Sequence, residues 1–147
     1  MKKIILACCV LLVILVTVWW LSKPWLPFHD PHLADGVKVR LMQGSVKRPG
    51  LLVFQMALPP HFVFPTHFHD VEEELTLVSG SMYLGGMDGK PFSCNGGTRF
   101  DQGNTHKLPA TVHHWGYTTD TPVVVEVRSR GPYTIHWVQS DPLKPCH

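Results

Sequence analysis

Short stretches that are apolar, or that alternate apolar and polar residues, recur along the chain after residue 35. Gly and Pro fill almost every gap between them, which is typical of strands joined by turns. No window of about 11 residues after Leu21 has a helical period. The pattern predicts an all-β sandwich or barrel, with an Asp-Gly turn in MDGK at hairpin spacing between Tyr83 and Phe92. The predicted strands read VKVRL, LLVFQMAL, EELTLV, SMYL, TRF, HKLP, HHWGYT, PVVVEV and PYTIHWV.

The amino-terminal part of the chain has a different pattern. Residues 4–21 are apolar and follow two lysines. As a helix they would span about 27 Å, close to the ~30 Å hydrocarbon core of a bilayer. No small-residue cleavage motif follows, and Trp19, Trp20 and Trp25 lie where an interfacial aromatic belt is expected. These features predict an uncleaved single-pass anchor, with a cleaved secretory signal as the alternative.

The charges beside this run predict its orientation. The two lysines and the amino terminus outweigh Lys23, so the positive-inside rule places the rest of the chain outside the cytoplasm, on the periplasmic or extracellular side. Prolines at positions 24, 27 and 31 disfavour helix and predict an extended linker. The predicted division is an anchor or signal at 1–21, a linker at 22–35 and one β domain at 36–147.

Composition excludes one class of partner and leaves one covalent bond open. With 147 residues, a net charge of +2 and 16% charged residues, the chain lacks the basic surface that nucleic-acid binding requires. Cys94 and Cys146 are the cysteines outside the apolar run. An oxidising compartment would permit a disulfide between them, but the sequence alone does not decide whether they pair.

Histidine is abundant, with ten residues, of which six lie between positions 61 and 114. On a strand, His67 and His69 would face the same side about 6.6 Å apart, so both imidazoles could bind one ion at ~2.0–2.1 Å. After a turn at residues 70–72, Glu73 shares its alternation with the apolar Leu75 and is expected to point inward. The pattern favours a metal site over the alternative of an ordinary polar turn.

The spacing of these residues resembles the first motif of the cupin family. That motif runs Gly, five residues, His-x-His, three or four residues, Glu, six residues, Gly. His67, His69, Glu73 and Gly80 fit every interval, and His61 replaces the leading glycine.

A second cupin motif is matched further along the chain. It runs Gly, five residues, Pro-x-Gly, two residues, His, three residues, Asn. Gly103, Pro109 and His114 fit, whereas Thr111 replaces the second glycine and Thr118 replaces the asparagine.

The resemblance implies one divalent transition metal, such as Fe, Mn, Zn or Ni. Because the loop before His114 lacks its glycine at Thr111, His106 and His113 stay open as alternative ligands. The implied ligands are His67, His69, Glu73 and His114.

The stretches GNTHKLPATVHHWGYTTDTPVVVEV and GPYTIHWV look like the ChrR-like branch of single-domain cupins. The expected fold is an RmlC-like jelly-roll barrel, and homodimers are common among such barrels. Cupins of this shape include dioxygenases, isomerases, decarboxylases and non-catalytic binders.

Three functions follow as hypotheses. The first is a membrane-anchored, metal-dependent oxidoreductase of the non-haem dioxygenase type that acts on a small oxygenated substrate. The second is a non-catalytic metal or small-ligand binding or sensor module. The third is a structural barrel that has lost its site. No catalytic residue beyond the metal ligands is assigned.

Overall fold

The computed structural model describes residues 23–138 and Cys146. The predicted anchor at residues 1–21 lies outside this part of the chain, and the described part contains no helix that is long and apolar enough to cross a membrane. It is all-β, as predicted. Its strands are Leu26–Pro27 (β1), Lys38–Gln43 (β2), Gly50–Leu58 (β3), Val63–Phe68 (β4), Glu73–Ser79 (β5), Ser81–Gly85 (β6), Thr98–Asp101 (β7), Thr105–Leu108 (β8), His114–Thr118 (β9), Val123–Gly131 (β10) and His136–Trp137 (β11).

The strands form two antiparallel sheets. One has six strands in the order β1-β2-β3-β10-β5-β8, and the other has five in the order β11-β4-β9-β6-β7. Alternation along each strand sends one set of side chains between the sheets. Leu75 and Val125 from the larger sheet meet Phe64 and Leu84 from the smaller one in a shared core. This is a jelly-roll sandwich closed around one interior.

Two local features differ from the sequence expectation. The MDGK turn forms, with the Gly89 N–H donating to the Gly86 carbonyl at 2.9 Å. However, β6 then pairs with β7 at Thr98–Asp101 and not with a strand near Phe92. Strand β4 was not among the predicted runs, because nearly all its residues are buried and no alternation shows.

The segment predicted as a linker packs onto the barrel from residue 23 onward. Its strand β1 pairs with β2, and Phe28 packs against the core. The ring of His32 stacks on Trp137 with 5.1 Å between centroids, and the Trp137 indole N–H donates to Asp30 at 3.3 Å. The proline-rich segment is therefore part of the described domain.

Cys94 and Cys146 form a disulfide, with 5.3 Å between their Cα atoms. The bond ties Cys146 to the long loop between β6 and β7. Cys146 packs there with Trp115 and Tyr117 in a second apolar cluster, and the Tyr117 hydroxyl donates to the Cys94 carbonyl at 2.8 Å. The pairing that the sequence left open is thus present.

Candidate metal centre

The structure brings the four predicted ligands to one end of the barrel. His67 lies on β4, His69 directly follows that strand, Glu73 begins β5 and His114 begins β9. His67 and His114 are register partners across the β4–β9 pair. All four side chains are buried, as expected for residues that act on each other and not on bulk water.

Backbone carbonyls set the tautomer of each histidine. A carbonyl can only accept a hydrogen bond, so the facing Nδ1 carries a proton, and in the neutral imidazole Nε2 then keeps a free lone pair. The Nδ1 atoms of His67, His69 and His114 lie 2.7, 2.7 and 3.0 Å from the carbonyl oxygens of Pro65, Thr134 and Val112.

These nitrogens converge with one carboxylate oxygen. The three histidines each offer a ligand atom, and these atoms lie within 4.8 Å of one another. Glu73 Oε2 lies 3.3 Å from Nε2 of both His69 and His114. It is buried and has no hydrogen-bond partner among the described residues. Neighbouring ligand atoms that share an ion at ~2.0–2.2 Å lie about 3 Å apart, close to the 3.3 Å between Glu73 Oε2 and both histidines, so the residue types and this spacing fit a divalent transition metal.

The directions of the pKa shifts in this cluster agree with metal binding. Burial, and then repulsion from His114 and His69, lowers the pKa of His67 well below its ordinary value. Burial also lowers the pKa of His69, although Glu73 opposes the shift. Burial alone would raise the pKa of Glu73, but contacts with His114, His69 and Tyr133 outweigh it and the pKa is lowered. Neutral imidazoles and an ionised carboxylate are the forms that bind metal.

Tyr133 belongs to the site, and nothing in the sequence pattern marks it. Its hydroxyl donates to Glu73 Oε1 at 2.5 Å and lies 3.1 Å from His69 Nε2. Its ring stacks on His69 with 4.5 Å between centroids. Burial, together with the charge of Glu73, raises the pKa of Tyr133 well above its ordinary value, so the hydroxyl stays a donor.

The two alternative histidines lie elsewhere. His113 is exposed and stacks on Phe68 at 5.1 Å, because alternation turns it away from the side that His114 faces. His106 lies on β8 and lines a separate cavity of about 220 Å³ beside Phe100. The structure therefore places His114, and neither alternative, with His67 and His69.

A cavity of about 450 Å³ extends from this cluster between the two sheets. Its size is that of a small-molecule site. The cluster and Tyr133 form its polar end, and Ser45 and Lys47 add polar groups from the loop at residues 44–49. The remaining wall is mainly apolar, including Phe28, Leu41, Phe54, Met56, Phe64, Leu75, Val125 and Ile135.

No protein-family model and no curated protein sequence matches the chain. Solved structures do match the chain. The polyketide cyclase RemF from Streptomyces resistomycificus has a TM-score of 0.68 at 16% identity, covering 83% of this chain and 84% of that chain. An RmlC-like cupin from Ralstonia eutropha gives 0.61 at 14% identity, over 83% and 72%. The protein has the single-domain cupin fold.

A third structural neighbour is described as an enzyme of a different type. A proposed acetylacetone dioxygenase from Methylibium petroleiphilum has a TM-score of 0.61 at 19% identity, covering 84% of this chain and 82% of that chain. Identities this low support the fold and not a shared reaction. The ChrR-like branch stays a prediction.

The backbone takes the glycine conformation at both positions where the cupin motifs have a glycine and this chain does not. His61 has φ 55° and Thr111 has φ 64°, both in the left-handed region that glycine adopts without strain. The Thr111 N–H donates to the His69 carbonyl at 2.7 Å. The loop before His114 is therefore held in the glycine conformation although it carries a β-branched residue.

This strain predicts a stabilising substitution. A left-handed conformation costs a non-glycine residue about 1–2 kcal/mol, and glycine removes this cost. Glycine also increases the conformational entropy of the unfolded chain, which offsets about 0.5–1 kcal/mol of the gain. We expect Thr111→Gly to raise the free energy of unfolding by about 0.5–1 kcal/mol, measured by urea denaturation. Thr121→Gly, at an exposed position without positive φ, is the matched control and should not stabilise. Equal effects at both positions would contradict the assignment of strain.

The Tyr133 hydroxyl predicts a change in metal affinity. Without it, Glu73 Oε1 loses its donor and the carboxylate loses its fixed orientation. We expect Tyr133→Phe to weaken metal binding about 10- to 100-fold, with full stoichiometry at saturating metal. Competition against a chelating dye measures this. Tyr83→Phe, whose ring stacks on Tyr117, is the control. Unchanged affinity in Tyr133→Phe would show that the hydroxyl does not position the ligand.

Proposed function

We propose that this cupin is a membrane-anchored, metal-dependent oxidoreductase of the non-haem dioxygenase type, acting on a small oxygenated substrate. The observation that carries the proposal is the convergence of three buried imidazole rings and one carboxylate oxygen at the end of an apolar cavity. Such a ligand set would hold a divalent ion with net positive charge and would leave it able to take exchangeable ligands.

The described residues would have separate roles in metal binding. When bound, a divalent transition metal supplies a Lewis acid, and a redox-active one also supplies electron transfer. His67, His69, His114 and Glu73 would hold it. Tyr133 keeps the Glu73 carboxylate in place by donating to Oε1, which leaves Oε2 facing the histidines.

The cavity wall points to the shape of the substrate. Its apolar side chains exclude water and favour an apolar body. The polar end favours oxygen atoms near the cluster. The proposed substrate is therefore an apolar molecule with an oxygenated head, such as a ketone, diketone or carboxylate. A proposed dioxygenase among the structural neighbours is consistent with this choice. Another neighbour is a cyclase, so the reaction type needs a direct test.

Oxygen consumption tests the proposal. The full chain in detergent, loaded separately with Fe(II), Mn(II), Ni(II) or Zn(II), is supplied with diketones and ketones of increasing alkyl length. We expect oxygen uptake with a redox-active metal, no uptake with Zn(II), and loss of uptake in His67→Ala. If no metal and substrate combination consumes oxygen, the oxidoreductase proposal fails. A ligand that raises the melting temperature without turnover would then favour the binding module.

The anchor and its orientation are also proposals. They are supported by the apolar residues 4–21 and by the Cys94–Cys146 disulfide, a bond typical of compartments outside the cytoplasm. We expect the full chain to stay in membranes washed with alkaline carbonate and to migrate with an intact disulfide without reductant. Release by the wash would contradict the anchor. The expected homodimer stays a prediction.

A further inference from the structure

One loop borders the open side of the cavity. We call residues 44–49, which join β2 to β3, the mouth loop. Ser45, Val46 and Lys47 line the cavity, yet Val46 is 46% exposed. Leu41, which also lines the cavity at the end of β2, is 45% exposed. The cavity therefore opens to the outside beside these apolar side chains.

The mouth loop is held next to the metal centre. The Tyr133 N–H donates to the Val46 carbonyl at 2.9 Å. A Cβ on Gly131 would lie 2.3 Å from the Arg48 carbonyl oxygen and 2.4 Å from that of Ser45. Such contact leaves no room for a side chain at position 131. The position of the mouth is thus fixed relative to the residue that bonds Glu73.

Exposed cations lie on the mouth loop and on the neighbouring outer face of the larger sheet. Lys47 and Arg48 belong to the mouth loop, and Arg128 and Arg130 lie on β10 opposite Val53 and Leu51 of β3. Leu51 is itself 40% exposed. We call the four cations, Lys47, Arg48, Arg128 and Arg130, the basic rim.

No member of the basic rim forms an ion pair within the described residues. None of its members has a carboxylate within 4.0 Å there, whereas Lys90, Arg99 and Lys107 each pair with one. Of the acids at this end, Asp70 bonds His136 at 2.7 Å, Glu74 is the register partner of Arg128 and pairs with Lys107 at 3.6 Å, and Glu72 is exposed. The rim therefore presents four cations without an ion pair among the described residues, next to exposed apolar side chains.

The chain also enters the described domain at this end. Strand β1 runs antiparallel to β2, so moving back from Leu26 toward Lys23 leads along β2 toward the mouth loop. The Lys23 ammonium donates to the Met42 carbonyl, and the Arg40 guanidinium lies 4.5 Å from the Trp25 ring centroid. In the sequence, the apolar residues 4–21 end two positions before Lys23.

We propose that the basic rim docks the cavity mouth on the surface of an anionic lipid bilayer. The proposal rests on the proposed anchor, because residues 4–21 would bring the mouth loop to that surface. Cations flanking exposed aliphatic side chains match the interface, where anionic headgroups meet the first methylene groups. The apolar cavity then opens toward lipid, and its ligand is an apolar molecule that enters from the bilayer.

Lipid photocrosslinking of the full chain tests the docking. The chain is reconstituted in phosphatidylcholine vesicles with or without phosphatidylglycerol, each containing a trace of phosphatidylglycerol with a diazirine near its headgroup. Labelled peptides are mapped by mass spectrometry. We expect labelling of residues 44–49 in the anionic vesicles and at least about a fivefold loss in the double variant Lys47→Glu, Arg48→Glu.

The matched control is Lys38→Glu, an exposed lysine at the other end of β2, where labelling of the mouth loop should not change. Labelling near residues 1–21 without labelling of the mouth loop would overturn the docking and leave the anchor standing. A chain that does not float with the vesicles would overturn the anchor and the docking together. Equal loss in Lys38→Glu and the double variant would show a general charge effect and would also overturn the proposal.

Discussion

Replacing His67 by alanine is expected to reduce the metal content of the full chain from about one ion per chain to less than about one tenth of that. His67 supplies one of three converging nitrogen donors in a buried cluster. Three remaining ligands, one of them a carboxylate, would hold the ion far more weakly, and loss of even a supporting residue commonly weakens binding 10- to 100-fold. Elemental analysis after dialysis measures the change, and His114→Ala should behave alike.

Two other histidines in the same domain provide matched controls. His113→Ala and His106→Ala remove the same side chain from positions outside the cluster and should keep the metal. Retention of metal in His67→Ala would contradict the assigned site. Loss in His113→Ala or His106→Ala would move the fourth ligand to that residue. Absence of metal from every variant and from the parent after reconstitution would favour a barrel that has lost its site.

Removing the disulfide is expected to give the largest loss of stability. Cys94 and Cys146 are separated by 52 residues, and a bond closing a loop of that length lowers unfolded-chain entropy by an amount worth about 4 kcal/mol. We expect Cys94→Ser to lower the free energy of unfolding by roughly that amount, measured by denaturant titration of the full chain.

Reductant separates the effect of the bond from that of the substitution. The parent should lose about as much stability in reductant as Cys94→Ser loses without it, and Cys146→Ser should match. The single variants should not respond to reductant further. A parent that is stable to reductant, or a difference below about 1 kcal/mol, would show that the bond contributes little to the fold.

His67, His69 and Glu73 could be predicted from the sequence because their geometry is local. Strand alternation places the two histidines on one side and turns Glu73 inward with Leu75. The fold class followed from the same short-range signals. His114 needed the family resemblance, because its place opposite His67 depends on pairing between two strands far apart in the chain.

Other features depend on long-range contacts that leave little trace in a sequence. Tyr133 reaches Glu73 from 60 residues away. The part of strand β4 before His67 is buried on both faces, so no alternation reveals it. Thr111 is held in the left-handed conformation by a hydrogen bond from its N–H to the His69 carbonyl. The cupin motif has a glycine at this position. In each case tertiary structure decides what local propensity leaves open.

Trp137 is placed to report optically on an ion bound at the candidate metal centre. Its indole ring lies 5.3 Å from the His67 ring and stacks against Phe64 and His32. A paramagnetic or light-absorbing ion such as Fe(II) or Ni(II) at the cluster would quench its emission at that range, whereas Zn(II), with a filled d shell, would not. Occupancy and the class of ion could then be followed by fluorescence without an added dye, with Trp137→Phe, which keeps the four other tryptophans, as the reference for their emission.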